Sequence, residues 1–184
     1  MNIIKTGIEG LVEIIPTIYK DDRGWFFELF REDHFRNHGI NPKFIQDNQS
    51  FSKKGVVRGL HLQLDPYAQG KLVSVISGKV LDVVVDLRKG SSTFGKVHYC
   101  TLDSERRNLL FVPEGFAHGF SALEDSIFFY KCTNTHHPGA EIGIRWNDPD
   151  LAIDWTVKEP LLSAKDKNHP TLNELLIKSV ISRN

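Results

Sequence analysis

Hydrophobic and polar residues along this chain alternate in short runs. Turn signals such as "DDRG" at 21–24, "SG" at 77–78 and "PEG" at 113–115 separate these runs. Such runs, when rich in β-branched and aromatic residues, predict β-strands. The predicted strands are Leu11–Ile15, Trp25–Arg31, Phe44–Gln46, Leu72–Ile76, Val80–Leu87, Val97–Leu102, Leu109–Val112 and Ile127–Thr133. Many short strands between close turns predict an all-β sandwich or barrel, with residues 1–184 as one domain.

The segment "VLDVVVDLR" at 80–88 shows the strand period most clearly. One face, from Leu81 to Leu87, is wholly apolar, whereas the other carries Asp82 and Asp86 between valines. In a closed sandwich or barrel, a face of mixed polarity can line a cavity. We therefore expect one packed face and one face turned toward a cavity.

Two segments predict helices. A short helix is expected over Glu32–Asn37, closed by Gly39. A second is expected near the C-terminus, where "TLNE" at 171–174 fits a capping box before "LLIKSVI". We expect this C-terminal helix to pack on the outside of the sheets.

Composition narrows the class of protein. Lys plus Arg and Asp plus Glu both total 23, so the formal net charge is zero and the basic excess of a nucleic-acid binder is missing. No apolar run approaches the roughly 20 residues that cross a bilayer, and the N-terminus lacks the pattern of a signal peptide. Cys100 and Cys132 each lie in an apolar or β-branched run, which favours a reducing compartment. We expect a cytoplasmic protein that binds neither nucleic acid nor membrane.

Polar side chains interrupt the apolar stretch "VVRGLHLQLDPYAQGKLVSV" at 56–75. They are Arg58, His61, Gln63, Gln69 and Lys71. Strand alternation puts His61 and Gln63 on one side and three leucines on the other. The polar groups therefore face either solvent at a sheet surface or a cavity. A second cluster, "FVPEGFAHGF" at 111–120, follows a tight turn and delivers His118 into the next run.

Together the two clusters resemble the two halves of a cupin, a small jelly-roll barrel. Many cupins bind a metal through two histidines and a glutamate in the first motif and a histidine in the second. Here Gln63 stands in place of the second histidine, and no acidic residue follows at the required distance before Gly78. His61 and His118 alone remain as ligand candidates, and two imidazoles make a poor transition-metal site. We expect no metal and no cofactor.

The chain resembles the dTDP-4-dehydrorhamnose 3,5-epimerase family, the metal-free cupins of rhamnose biosynthesis, over nearly its whole length. The matching motifs are "DDRGWFFELF" (21–30), "FIQDNQSFS" (44–52), "VVRGLHLQ" (56–63), "AQGKLV" (68–73), "DVVVDLRKGSSTFG" (82–95), "FVPEGFAHGF" (111–120), "FFYK" (128–131), "IRWNDPDLAIDW" (144–155) and "LSAKD" (162–166). The resemblance implies a cupin jelly roll with a few short peripheral helices. It also implies a dTDP-4-keto-6-deoxyhexose as substrate.

The resemblance assigns four catalytic roles. His61 matches the base that removes a proton beside the keto group, and Asp166 matches the carboxylate that orients the imidazole. Lys71 matches the cation beside the enolate oxygen, and Tyr130 matches the acid that returns a proton. Taken alone, Asp166 and Lys71 would be surface charges, and Tyr130 a core aromatic residue.

The resemblance also implies a set of residues that contact the nucleotide sugar. They are Arg23, Glu28, Gln46, Asn48, Arg58, His118, Glu141 and Lys165. Arg23 and Arg58 suit the diphosphate because a guanidinium forms forked hydrogen bonds to phosphate. Without the family match, Arg23 and Glu28 could be a surface ion pair, and "QDNQ" at 46–49 could be turn chemistry.

One departure from the family leaves the substrate open. Thr135 and His136 stand where the family often carries an aromatic pair, so the nucleotide could be held differently. The double epimerase is favoured. The alternatives are a single-centre epimerase on a related 4-keto-6-deoxy sugar, a non-catalytic sugar-binding cupin and a metal-dependent cupin enzyme. The family also implies a homodimer that exchanges N-terminal strands.

Overall fold

The computed structural model describes residues 1–183, which form short strands and shorter helices. The strands are β1 Asn2–Lys5, β2 Val12–Ile15, β3 Tyr19–Asp21, β4 Gly24–Phe26, β5 Gln46–Ser52, β6 Val57–Gln63, β7 Lys71–Ser77, β8 Lys79–Asp86, β9 Val97–Asp103, β10 Leu109–Val112, β11 Phe116–Ala122, β12 Ser126–Cys132 and β13 Glu141–Gly143. The helices are α1 Glu32–Arg36, α2 Ala164–Lys167 and α3 Leu172–Ile177. None of the helices among residues 1–183 is long and apolar enough to cross a membrane.

Two antiparallel sheets build the molecule. The larger has six strands in the order β1-β2-β10-β7-β12-β5, and the smaller has five in the order β13-β6-β11-β8-β9. Strands β3 and β4 form a separate hairpin. The predicted all-β class with a few short helices is confirmed.

The inner faces of the two sheets pack on one apolar cluster. Val73 and Val75 come from the larger sheet, and Val84 and Phe120 come from the smaller. The rings of Phe120 and Phe128 stack across the interface with centroids 4.3 Å apart. This cluster holds the two sheets together and sets the distance between their inward-facing side chains.

Strand β8 is buried on both faces, which is more than the alternation predicts. Its wholly apolar face packs in a cluster with Leu172 and Leu175 of α3, so the C-terminal segment covers the outside of the smaller sheet. Its mixed face turns toward the sheet interface, where Asp82 and Asp86 are fully buried. The C-terminal segment shields the apolar face of β8 from solvent, so the face that carries Asp82 and Asp86 is the one that points between the sheets.

Most of the predicted strands are confirmed within one or two residues, but two are wrong. The predicted strand Trp25–Arg31 ends at Phe26, because Leu29 and Phe30 pack on the outer face of the larger sheet instead of alternating. The predicted strand Phe44–Gln46 barely overlaps β5, which runs through "QDNQ" as a regular strand. Strands β1, β3 and β13 were not predicted, and β11 was expected only as the run after a turn.

Both predicted helices are confirmed, and a third was missed. Helix α3 begins at the predicted capping box, in which the Thr171 hydroxyl accepts from the Glu174 N–H at 3.2 Å and the Glu174 carboxylate accepts from the Thr171 N–H at 2.7 Å. Helix α3 ends at Ile177, earlier than the apolar pattern suggested. The missed helix, α2, is a single turn capped by Ser163.

Strands β6 and β11 approach each other closely at two glycines. A Cβ on Gly59 would lie 2.6 Å from the Cα of Gly119, and Gly59 has a φ of +124°. The strand register shifts at this point, between His118 and Phe120. The close approach brings His61 on β6 directly opposite His118 on β11.

We expect Gly59→Ala to lower the free energy of unfolding by about 2 kcal/mol or more, because the new methyl meets backbone atoms that cannot rotate away. Urea unfolding followed by tryptophan fluorescence measures the change. Gly39→Ala is the matched control, since Gly39 also has a positive φ, +77°, but faces open space. The control should cost only about 1 kcal/mol. Equal losses in the free energy of unfolding for the two variants would show that the close approach of β6 and β11 does not require a glycine at position 59.

Candidate active site

A cavity of about 280 Å³ lies between the two sheets. Side chains from both sheets, from α2 and from its N-cap residue Ser163 line it. The lining residues are Ser50, Arg58, His61, Lys71, His118, Gly119, Phe120, Phe128, Tyr130, Ser163, Lys165 and Asp166. All four of the predicted catalytic residues are among them, although they come from β6, β7, β12 and α2.

A short hydrogen bond joins His61 to Asp166, with Nε2 and Oδ1 2.6 Å apart. The second oxygen of Asp166 accepts from the Ser163 hydroxyl at 2.8 Å, and that hydroxyl accepts from the Asp166 N–H at 3.0 Å. Burial acts to raise the pKa of Asp166, but hydrogen bonds from His61 and Ser163 outweigh it, so the pKa lies below its ordinary value. An ionised Asp166 keeps a proton on Nε2 of His61, which leaves the lone pair on Nδ1.

Lys71 is a half-buried cation at the start of β7, where it lines the cavity. Burial lowers the pKa of its ammonium group, while Cys132, Glu141 and Asp82 act in the opposite direction. A cation held in a low-dielectric cavity interacts strongly with any negative charge that forms beside it. Lys71 is therefore suited to stabilise an anionic oxygen.

Tyr130 belongs to the larger sheet, whereas His61 belongs to the smaller, so the two lie on opposite sheets of the sandwich. The Tyr130 ring packs on the edge of the inner cluster, with its centroid 6.0 Å from that of Phe128. Burial raises the pKa of the Tyr130 hydroxyl, so it stays protonated at neutral pH. The cavity thus combines a proton acceptor on one sheet with a proton donor on the other.

His118 forms a second buried pair beside His61. Its Nε2 lies 2.8 Å from Oδ2 of Asp82, and both side chains are almost completely buried. Burial raises the pKa of Asp82. The other Asp82 oxygen, Oδ1, has no hydrogen-bond partner among residues 1–183. His118 is therefore held by a fixed partner on β8.

Other predicted binding residues lie in or beside the cavity. Arg58 donates to the Ser52 hydroxyl and the Phe51 carbonyl, both at 3.0 Å. Lys165 pairs with Glu141. Burial acts to raise the pKa of Glu141, but the hydrogen bond from Lys165 outweighs it, so the pKa lies below its ordinary value.

Gln46 and Asn48 lie on the neighbouring edge strand β5. The Gln46 amide donates to Asn48 at 3.0 Å, and its oxygen accepts from the His136 N–H at 2.9 Å. Strand β5 is thereby tied to the segment that carries Thr135 and His136. The His136 ring nitrogen Nδ1 lies 3.5 Å from Glu141, so this departure from the family lies beside the predicted binding residues.

Arg23 and Glu28 do not line the cavity of their own chain. The Arg23 side chain is 90% exposed on the β3–β4 hairpin and pairs with Asp21 at 2.6 Å. Glu28 pairs with Arg31 at 3.5 Å. Of the eight predicted binding residues, three line the cavity and two lie outside it. The remaining three adjoin it through Tyr130 or Lys165: Gln46, Asn48 and Glu141.

Sequence reasoning missed His169 and Ser163. Nε2 of His169 lies 3.5 Å from Oδ1 of Asp166, and its ring meets the His61 ring edge-on with centroids 5.4 Å apart. The only signal for His169 in the sequence was its position three residues after Asp166. Ligand atoms of His61, Asp166 and His169 lie within 4.8 Å of one another and form a group that could hold a metal ion.

The fold and the site define the chain as a cupin-like protein with the features of a sugar epimerase. A profile described as dTDP-4-dehydrorhamnose 3,5-epimerase matches residues 5–174. A relative of that name from Methanothermobacter thermautotrophicus is 49% identical over 175 residues, which cover 93% of this chain and 94% of the relative. The chain belongs to the dTDP-4-dehydrorhamnose 3,5-epimerase family, whose members are isomerases.

Solved structures agree with this assignment. A dTDP-6-deoxy-D-glucose-3,5-epimerase from Legionella pneumophila, in complex with dTDP-4-keto-L-rhamnose, is 46% identical with a TM-score of 0.93, and the match covers 100% of this chain and 98% of that one. A 3'-monoepimerase from Streptomyces bikiniensis, in complex with dTDP-quinovose, is 35% identical with a TM-score of 0.91, covering 97% and 92%. The fold is therefore shared by enzymes that invert different numbers of centres.

We expect Lys71→Met to raise stability and abolish turnover. Burial lowers the pKa of Lys71, so the native state binds its proton less tightly than the unfolded chain does. At a pH below the pKa of Lys71 in the folded state, the charged ammonium lowers the free energy of unfolding by its full amount. This destabilisation fades as the pH rises from that pKa toward the higher pKa of Lys71 in the unfolded chain. The gain should be about 1 kcal/mol or more at neutral pH and should shrink in alkaline solution.

Thermal unfolding between neutral and alkaline pH measures the effect. Lys131→Met serves as the control, because Lys131 follows Tyr130 on the same strand but pairs with Asp47 at 2.7 Å outside the cavity. A Lys71→Met variant less stable than wild type at neutral pH would contradict the expectation.

Proposed function

We propose that the chain is a dTDP-4-dehydrorhamnose 3,5-epimerase, which converts dTDP-4-keto-6-deoxy-D-glucose to dTDP-4-keto-L-rhamnose. The observation that carries the proposal is the pairing of the His61–Asp166 dyad on one side of a cavity with Tyr130 on the opposite sheet. Inversion needs a base on one face of the sugar and an acid on the other. Simple binding of a sugar needs no such pair, which disfavours a non-catalytic cupin.

The mechanism uses the acidity that the ketone confers on its neighbouring carbons. Nδ1 of His61 removes the hydrogen from C5 or C3 as a proton. The C–H electron pair forms a double bond to C4, and the π electrons of the C4 carbonyl move onto its oxygen, which gives an enolate. Asp166 stabilises the resulting imidazolium, and Lys71 stabilises the enolate oxygen. Tyr130 then delivers a proton to the same carbon from the opposite face, which inverts the centre. Solvent water then returns a proton to the Tyr130 phenolate and takes the abstracted proton from the His61 imidazolium.

Binding of the nucleotide is assigned to the cations and amides around the cavity. Arg58 and Lys165 are suited to the diphosphate, and Gln46 and Asn48 present amides on the edge strand β5. His118, held by Asp82, and Glu141, held by Lys165, complete the contacts that the family match implies.

A single-centre epimerase is the second candidate. It is favoured by Thr135 and His136, which replace the aromatic pair of the family near Gln46 and Glu141. The 3'-monoepimerase from Streptomyces bikiniensis shares the fold at a TM-score of 0.91. A nucleotide seated differently would shift the sugar relative to His61 and could present only one carbon to it.

The proposal includes a homodimer with shared cavities. Arg23 and Glu28 are predicted to bind substrate but lie outside the cavity of their own chain. The β3–β4 hairpin that carries Arg23 exposes Trp25 (55%) and Phe26 (64%). In the larger sheet, β5 is an edge strand, and an unpaired edge is where a strand of a second copy can add. We infer that the hairpin reaches the cavity of the partner subunit.

The proposal also covers organisation and location. Residues 1–184 act as one cupin-type domain, which the continuous family match over 5–174 supports. The enzyme works in the cytoplasm, which is supported by Cys100 and Cys132, both free and buried. No metal or cofactor takes part in the proton transfers as assigned.

The reaction in deuterated water tests the function. With dTDP-4-keto-6-deoxy-D-glucose as substrate and an NADPH-dependent reductase to trap the product, the double epimerase should place deuterium at both C3 and C5, as read by NMR. A single-centre epimerase would label the product at one carbon only. No turnover and no label at either carbon would contradict the proposal.

Variants of the acid and the base sharpen this test. His61→Asn should lower turnover by roughly 10²–10⁴-fold, because the amide of asparagine cannot accept the proton that the imidazole removes. Tyr130→Phe should still exchange deuterium into the substrate while inversion slows, since His61 can return a deuteron from its own face. His38→Ala, an exposed histidine outside the cavity, is the control and should behave as wild type.

Mixing of two inactive variants tests the shared cavity. A dimer of one His61→Asn chain and one Arg23→Glu chain should contain one cavity with both wild-type residues, so turnover should recover to roughly a quarter of wild type after random subunit exchange. Mixed His61→Asn and Asp166→Asn chains are the control, because both changes fall in the cavity of one chain and leave no complete cavity. Failure of the first mixture to recover, with heterodimers present by native mass spectrometry, would exclude a shared site.

A further inference from the structure

We propose that His61, Asp166 and His169 form a binding site for one divalent transition-metal ion such as Zn²⁺, and that the bound ion inhibits the enzyme. The site is distinct from the metal position considered in the sequence analysis, which used His118. Two imidazoles, one carboxylate and a water molecule are a donor set typical of an open zinc site. The inhibition rests on the proposed role of His61, whereas the binding itself does not.

The three ligand atoms are already close to the spacing that a metal needs. Oδ1 of Asp166 lies 2.6 Å from Nε2 of His61 and 3.5 Å from Nε2 of His169, and all three atoms lie within 4.8 Å of one another. Bonds of about 2.0–2.1 Å in a tetrahedron separate the ligand atoms by about 3.3 Å. Small rotations of the two rings would meet this spacing. His61 and Asp166 also line the cavity, from which a water molecule would supply the fourth ligand.

His169 provides an independent sign of a ligand. Its side chain is 10% exposed, and its Nε2 has no hydrogen-bond partner among residues 1–183. A buried ring nitrogen without a partner is costly and is often explained by an unseen ligand.

The strand beside His169 fixes the position of its ring. Gly143 on β13 pairs with His61, and a Cβ on Gly143 would lie 2.3 Å from atoms of the His169 ring. The absent side chain lets the His169 ring lie against β13 and meet His61 edge-on. The two imidazoles are therefore held side by side by the backbone, in a way that the proton transfers do not require.

Metal binding would remove the base by moving one proton. In the free enzyme the proton sits on Nε2 of His61 and the lone pair on Nδ1. A metal bound at Nε2 takes the lone pair of that nitrogen, and the proton moves to Nδ1. The imidazole remains neutral overall, but the nitrogen that should accept the substrate proton already carries one. The ion also occupies Oδ1 of Asp166, so the carboxylate no longer stabilises an imidazolium.

The experiment measures metal binding and turnover on the same protein. Full-length enzyme treated with a chelator is titrated with Co²⁺, whose visible absorption reports four- or five-coordinate nitrogen and oxygen ligation, and separately with Zn²⁺ during turnover. Wild type should bind one ion per chain and lose turnover in parallel. His169→Phe keeps an aromatic ring in the same space but removes the ligand, so binding and inhibition should both weaken by about 10- to 100-fold. Its turnover without metal is the reference against which its inhibition is measured.

Two further variants separate this site from exposed histidines. His34 lies in α1 and His38 lies just after it, with its ring bonded to the His34 carbonyl. These two histidines are the competing surface site. The double variant His34→Ala/His38→Ala should bind and be inhibited like wild type. Gly143→Ala should weaken binding as His169→Phe does, because the methyl displaces the His169 ring.

The outcomes decide the proposal without ambiguity. Equal inhibition of His169→Phe and wild type by Zn²⁺, or loss of the Co²⁺ spectrum in the surface double variant, would overturn it. If the proposed activity itself fails, no variant turns over the ketosugar, yet the Co²⁺ titration still shows whether His169 is a ligand. The two failures are therefore distinguishable.

Discussion

The active site depends on one hydrogen bond, which joins His61 of β6 to Asp166 of α2 across 105 residues of sequence. The bond requires the C-terminal segment to lie against the smaller sheet. Leu172 and Leu175 of α3 provide that attachment by packing on the apolar face of β8. Hydrophobic burial on the outside of the sandwich thus sets the chemistry inside it, since it holds the carboxylate at bonding distance from the imidazole.

Buried charge is the second constraint on the cavity. Asp82 and His118 are taken out of water between the sheets, and Lys71 is half-buried beside them. Burial shifts the pKa of Lys71 and of Asp82 toward their neutral forms. Each such group costs stability unless it is paired. Asp82 is paired with His118, whereas the inward position of Lys71 is explained by an anion that forms only during reaction. The unpaired cation in the cavity therefore lowers the stability of the fold, but it is already in place to bind a negative charge.

Much of the fold and part of the site could be predicted from the sequence, because strand alternation is a local property. The period of two placed His61 opposite the leucines of β6, and the structure has this arrangement. The strand predicted over Trp25–Arg31 was wrong because Leu29 and Phe30 serve a distant apolar cluster, which no local pattern reveals. Only the family match picked out Asp166, and nothing pointed to His169, since both depend on how the C-terminal segment docks.

The docking of the last residues has a consequence for synthesis of the protein. Strands β5 to β12 end at Cys132, so the two sheets can begin to assemble while the segment with Asp166 is still emerging from the ribosome. A nascent chain at that stage has its imidazole and phenol but lacks the carboxylate that orients the imidazole. His61 would therefore gain its orienting carboxylate only after the segment with Asp166 has docked, so activity would follow assembly of the two sheets rather than accompany it.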